Sequence, residues 1–342
     1  MDQGKVREQI AAFCTKNQLY CSVRLTYRDQ VLFSEHFGYA NKDFATPITD
    51  DSVFTLYSLS KPFCAIGLLL LCDKGLVDLD EHPGAYLDEV KALDPRITVR
   101  QLLQHTSGAQ GFHPIMDAHL PGYAHKLRPL LPQVAAQPVL FEPGKGALYT
   151  NIGYIIAALI IENISGLPYS EYMKKYVFEP LGMKTATVDH EKLTIPNRVS
   201  GHVLVDGVPT PVGKSHDWLF GAGDIVGRVE DVYCLNHAIK HKLLLKPETW
   251  EKVLTPSPLN NKGLGCTVTK WHGKTRITHN GGHKGFRTIH IQLPEDDFDI
   301  IVLSNSGYTD EGRSEIAEIL YRAFYDESAV SEKPLDMDTG YI

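Results

Sequence analysis

The chain has 342 residues, enough for one large domain or two modest ones with complete cores. Hydrophobic residues make up 43% and charged ones 22%, with a net charge of -7, a balance that fits a globular chain and excludes a nucleic-acid surface built on dense Lys and Arg. No run of eighteen or more apolar residues occurs, so no membrane span is expected.

Residues 3–16 read as an amphipathic helix with Val6, Ile10 and Phe13 on one face. This opening is charged and lacks the apolar centre of a secretion leader. It predicts a cytoplasmic protein if the chain is complete, and an exported one if a leader has been removed. Residues 20–27 and 30–37 read as a hairpin turning at Arg28-Asp29, and the Tyr39-Ala40-Asn41 that follows reads as structural. A strand-like run from Ser52 to Tyr57 leads into an apolar helical run from Ile66 to Leu71. Between them stands Ser58-Leu59-Ser60-Lys61-Pro62, which contains the only Ser-x-x-Lys of the chain. Pro62 fits a first helical turn, where its missing N–H has no partner to lose. Residues 75–255 read as mostly helical with long loops. Ile152 to Ile164 is a strong apolar helix closed by Ser165-Gly166, and Val229 to His241 is another. Strands dominate from 263 to 305, Ser314 to Tyr325 closes as a helix, and 326–342 is an acidic, proline-containing tail. The expected fold is α+β. Residues 1–75 and 256–325 would build an antiparallel sheet flanked by helices, residues 76–255 a mainly helical lobe, and the site would lie between them.

The chemistry sits in three motifs. A spacing of three is just under one helical turn, so a helix starting near Ser58 puts its hydroxyl and the Lys61 ammonium on one face. A serine becomes a useful nucleophile only when a base takes its proton, and a lysine serves as that base only when burial or nearby positive charge depresses its pKa. Tyr149-Thr150-Asn151 follows a Pro143-Gly144 turn and precedes the Ile152 helix. It supplies a phenol able to shuttle a proton and an amide able to hold both a lysine and a substrate carbonyl. His279-Asn280-Gly281-Gly282 lies between the strand-like segments Lys274 to Thr278 and Thr288 to Leu293. Its glycines let a substrate backbone lie close and offer a backbone N–H as half of an oxyanion hole. His237 and His241 would share a helix face, but no third ligand is apparent, so neither a metal nor another cofactor is expected. Cys14, Cys21, Cys64, Cys72, Cys234 and Cys266 form no Cys-x-x-Cys pair and read as reduced core thiols.

Together and in this order, the motifs resemble those of the penicillin-recognising serine hydrolases, most closely the branch holding class C β-lactamases, D-Ala-D-Ala carboxypeptidases and related esterases. The resemblance runs from about residue 20 to about residue 325 and includes Phe37-Gly38-Tyr39-Ala40-Asn41, the stretch from Ile97 to Gly108 and that from Val177 to Met183. It implies an acyl-enzyme on Ser58, with Lys61 and Tyr149 as the base system and the choice between them open. It also implies that Asn151 holds the lysine and the acyl amide, and that the N–H groups of Ser58 and Gly282 form the oxyanion hole. His279 would form the far wall and tune the Tyr149 phenol. The partner would be a small-molecule or peptide substrate, drawn from D-amino-acid peptides, β-lactam-like molecules and small esters. The alternative is a penicillin-binding receptor or structural homologue without turnover. Class C enzymes carry Lys-Thr-Gly where this chain has His279-Asn280-Gly281, which favours the carboxypeptidase and esterase branch. Asn280 removes the threonine hydroxyl that would hold a substrate carboxylate, with Arg287 as a stand-in. No Gly-x-Ser-x-Gly elbow occurs, so an α/β-hydrolase triad is not supported. Specificity is expected from loops 109–124 and 209–223, and the oligomeric state is not readable.

Overall fold

A computed structural model of the chain describes residues 1–112, 127–190, 193–213, 219–307 and 311–325. The expected tail at 326–342 and parts of both specificity loops lie outside the described residues. The helices of eight or more residues among the described ones are α1 (Gln3–Asn17), α2 (Lys61–Asp73), α3 (Ile152–Ser165), α4 (Val229–Lys240), α5 (Pro247–Leu254) and α6 (Glu311–Tyr325). The strands are β1 (Cys21–Tyr27), β2 (Gln30–Phe37), β3 (Tyr39–Asn41), β4 (Thr46–Pro47), β5 (Phe54–Thr55), β6 (Thr187–Val188), β7 (Gly201–Val205) and β8 (Val208–Val212). They continue with β9 (Ile225–Gly227), β10 (Thr267–Trp271), β11 (Lys274–His283), β12 (Gly285–Leu293) and β13 (Phe298–Gly307). The fold is α+β, an antiparallel sheet with helices packed on it.

The main sheet runs β10-β11-β12-β13-β1-β2, with every neighbouring pair antiparallel. The N-terminal hairpin therefore pairs with the last strand, which makes the two ends of the chain one layer. Strand β13 is buried along its whole length. Because side chains alternate across a strand, Ile300 and Val302 enter one core with Val6 and Ile10 of α1 and Ile316 and Leu320 of α6. Ile301 and Leu303 enter the larger core, which holds α2 and α3. Covering both faces requires the unbroken apolar run that the sequence carries here.

Three details differ from the sequence reading. The expected strand at 52–57 shrinks to β5 and a single parallel bridge from Val53 to Arg198, and Tyr57–Ser60 is a turn of 3₁₀ helix. Strand β11 does not stop at Thr278 but runs through the whole His-Asn-Gly-Gly motif, in register with Phe286 to Gln292 of β12. The third is a pair of strands inside the mainly helical middle of the chain, where the sequence reading names none. β7 and β8 form a hairpin over Asp206-Gly207, and β7 joins the end of β13 in parallel at His202 and Ser306. A small sheet, β5-β9-β6, ties the segment before Ser58 to the one after Ala222. Among the described residues no single helix is long and apolar enough to cross a membrane. All six cysteines are free thiols.

Candidate active site

Ser58 lies in the 3₁₀ turn that feeds α2 and is 6% exposed. Side chains at i and i+3 eclipse one another in a 3₁₀ turn, more closely than in an α-helix. That geometry, rather than the expected helix start, brings Lys61 Nζ to 3.0 Å from Ser58 Oγ. The preceding Tyr57 holds φ +49°, a left-handed value that costs a non-glycine residue about 1–3 kcal/mol. Its surroundings enforce it. The Tyr57 ring packs between His283 and Phe286, and the flanking backbone is bound through Leu56 N–H to Ile225 O and Ile225 N–H to Ser60 Oγ, both 2.9 Å.

Lys61 is fully buried, and its ammonium donates to three acceptors: Ser58 Oγ, Asn151 Oδ1 at 2.9 Å and Ala222 O at 2.9 Å. Asn151 stands at the N-terminal end of α3, and its side chain turns to the lysine instead of capping that helix. Burial first, and the Lys262 charge second, hold the Lys61 pKa well below the ordinary amine range. The Ala222 carbonyl is presented by a turn anchored through Asp224, whose carboxylate accepts from Gly221 N–H at 2.9 Å. Burial pushes that carboxyl up to about 7. Sequence reasoning had no signal for Ala222, because its contribution is a backbone oxygen.

Tyr149 is half-buried, and Lys61 Nζ sits 4.8 Å from the centre of its ring. The imidazole that packs on this phenol is that of His105, with ring centres 4.3 Å apart. His105 Nδ1 accepts from Thr150 N–H at 3.3 Å, and burial with the two nearby lysines keeps the ring neutral. A second lysine, Lys262, is 5% exposed, with Nζ 5.6 Å from the Tyr149 ring centre and 2.8 Å from Thr267 Oγ1. Nothing in its local sequence separates it from a solvated loop lysine. Its charge depresses the pKa of Lys61, His105 and His279 alike. Lys262→Met should therefore let the Lys61 pKa rise. The acid limb of the pH–rate profile then moves to higher pH, and turnover falls several-fold at neutral pH but recovers in alkaline buffer. An unshifted limb would remove Lys262 from the electrostatics of the site.

Strand β11 supplies the opposite side. His279 is 3% exposed, and its Nδ1 bonds the Asn280 carbonyl at 2.8 Å. Burial, then Lys262 and Lys61, hold its pKa well below the usual imidazole range. Gly281 is sterically required. A Cβ there would stand 2.0 Å from Leu56 O and 3.0 Å from Leu59 N, both backbone atoms of the serine turn. Thr288 Oγ1 donates to the same Leu56 O at 2.8 Å, and buried Arg313 donates to Gly281 O at 2.5 Å. At Gly282 the three atoms nearest to an added Cβ all belong to the flexible Arg287 side chain, the first at 3.0 Å. Arg287 itself donates to Phe286 O at 2.8 Å. Gly281→Ala should thus lower stability by about 1–3 kcal/mol by forcing the serine turn off β11. Gly282→Ala should cost clearly less, and urea midpoints for the two variants would check the order.

The structure thus brings Ser58, Lys61, Tyr149 and Asn151 together around one ammonium and sets the His279-to-Gly282 stretch of β11 beside the serine turn. A near-buried serine held against a fully buried lysine, together with the family match that follows, makes this a serine hydrolase acting on amides or esters. The chain belongs to the β-lactamase family, whose profile matches residues 20–323. Penicillin-binding protein 4* of Bacillus subtilis (strain 168) is 28% identical over 98% of this chain and 80% of its own length. The D-amino acid amidase of Ochrobactrum anthropi SV3, solved with L-phenylalanine amide, superposes with a TM-score of 0.82 at 25% identity, covering 95% of this chain and 99% of that one. The octameric penicillin-binding protein homologue from Pyrococcus abyssi shares the fold, with a TM-score of 0.84 at 23% identity over 96% of this chain and 78% of that one.

Proposed function

We propose that this protein hydrolyses small amides or esters through an acyl-enzyme on Ser58, and we place amides of D-amino acids first among its substrates. The observation that carries the mechanism is the 3.0 Å contact between Lys61 Nζ and Ser58 Oγ in a fully buried setting. A neutral amine has two N–H groups and one lone pair. Asn151 Oδ1 and Ala222 O take the two N–H groups, which leaves the lone pair aimed at the Ser58 hydroxyl. Lys61 then accepts the hydroxyl proton as Oγ attacks the carbonyl, and the proton passes by way of Tyr149 to the leaving amine or alcohol. The N–H groups of Ser58 and Gly282 receive the developing oxyanion, a donor pair of which each member is worth ~3 kcal/mol in comparable sites. Asn151 Nδ2 holds the acyl amide. Water attacks the acyl ester, and Ser58 recovers its proton. The likeness to the amidase supports the D-amino-acid amide, and the His-Asn-Gly in place of Lys-Thr-Gly supports an amidase or esterase over a β-lactamase.

The test is intact mass against time with benzylpenicillin, D-phenylalanine amide and an activated acetate ester, alongside product release. A transient adduct with turnover of the amide or ester supports the reading. A lasting penicillin adduct without turnover would instead favour a penicillin-binding receptor. The absence of adduct and product with all three would sink the acyl-enzyme.

A further inference from the structure

The histidine pair set aside on sequence grounds acquires its third donor in the fold. His237 and His241 lie one turn apart at the C-terminal end of α4, with ring centres 4.1 Å apart. The turn of the β1–β2 hairpin brings Asp29 over them. His237 Nδ1 is 3.5 Å from Asp29 Oδ1, and His241 Nε2 is 3.4 Å from Asp29 Oδ2. All three donor atoms lie within 4.8 Å of one another. Ligands bound tetrahedrally to zinc at roughly 2.0–2.1 Å stand roughly 3.3–3.4 Å apart, so each imidazole nitrogen lies near that spacing from a different carboxylate oxygen, and closing on one ion needs the carboxylate to turn one oxygen toward both rings.

We propose that Asp29, His237 and His241 form a three-ligand site for a divalent transition ion, zinc first, which clamps the hairpin turn to the end of α4. The surroundings fit a cation. A helix C-terminus carries partial negative charge, and the Tyr233 hydroxyl donates to Asp29 Oδ1 at 3.2 Å, which helps fix the carboxylate. A lysine ammonium already occupies part of the position: Lys240 Nζ lies 2.8 Å from Asp29 Oδ1 and also pairs with Asp297. Entry of a metal would release Lys240 to Asp297, so the ammonium keeps a carboxylate partner when the ion takes its place at Asp29. Asp29, His237 and His241 are each about two-fifths exposed, which leaves the remaining coordination positions to water. The site joins segments more than two hundred positions apart in the chain and stands apart from the serine chemistry, so its success or failure is independent of the proposed function.

The experiment uses the full untagged chain, titrated with zinc by calorimetry and with cobalt(II) by visible absorption, with thermal melts in each metal. One equivalent should bind, produce a cobalt d–d band and raise the melting temperature. His241→Ala and Asp29→Asn should each weaken binding at least about tenfold. Lys240→Met should tighten it several-fold by removing the competing cation, a gain that misfolding cannot imitate. Binding unchanged in His241→Ala and Asp29→Asn, unchanged in Lys240→Met, or absent in the parent protein would each overturn the site.

Discussion

Ser58→Ala should abolish covalent labelling by penicillins and activated esters and lower hydrolysis on the order of 10³-fold or more, while the melting temperature moves by only a few degrees. The side chain is small and nearly buried, and its hydroxyl faces Lys61, which keeps Asn151 and Ala222 as acceptors after the change. A lost neutral hydrogen bond costs about 1 kcal/mol. The informative contrast is Ser60, two positions on and fully buried. Its hydroxyl accepts from Ile225 N–H at 2.9 Å and so fixes β9 against the serine turn. Ser60→Ala should reverse the pattern, with stability lowered by about 1–3 kcal/mol and labelling retained. Intact mass and thermal melts on the two variants separate the roles. Labelling that survives in Ser58→Ala would disprove the nucleophile assignment.

Much of the architecture was readable because it rests on local signals. The apolar run after Pro62, the Ser165-Gly166 stop with Gly166 at φ +68°, and the Arg28-Asp29 turn between alternating strands each report a backbone state directly. Ser58, Lys61, Tyr149 and Asn151 stand out in the sequence through side-chain type, spacing and the order of the motifs, and the fold sets them around one ammonium. What escaped depends on tertiary contacts. Lys262 looks like any loop lysine until the fold buries it near Tyr149. His105 lies inside a stretch singled out only by resemblance, and its stacking on Tyr149 is set by a left-handed residue, φ +59°, which side-chain chemistry does not announce. Asp29 could not be paired with His237 and His241 from spacing alone. The β7–β8 hairpin does carry a local signal, the Asp206-Gly207 turn between strand-forming residues, although it sits in a part of the chain where helical patterns dominate.

Lys61→Arg should be as inactive as Lys61→Met, with acylation reduced by about 10²–10⁴-fold in both. The arginine retains the positive charge and can still donate to Asn151 and Ala222, but a guanidinium does not give up its proton in a protein. If Lys61 served only as a fixed cation that orders the Asn151 amide or attracts an anionic group, arginine would restore a good part of the rate. If its lone pair takes the Ser58 proton, arginine cannot. The pH profile of the parent enzyme adds a second reading. The amine must be neutral to act, so acylation should rise with pH through the Lys61 titration. Burial and the Lys262 charge place that titration below the ordinary lysine range, which moves the rise toward neutral pH. Single-turnover acylation followed against pH in the parent, Lys61→Arg and Lys262→Met therefore tests one electrostatic argument at two positions. Loss of the limb is expected in the first variant and its displacement to higher pH in the second. Rescue by arginine would transfer the proton-accepting role to Tyr149, the other member of the base system within reach of the same ammonium.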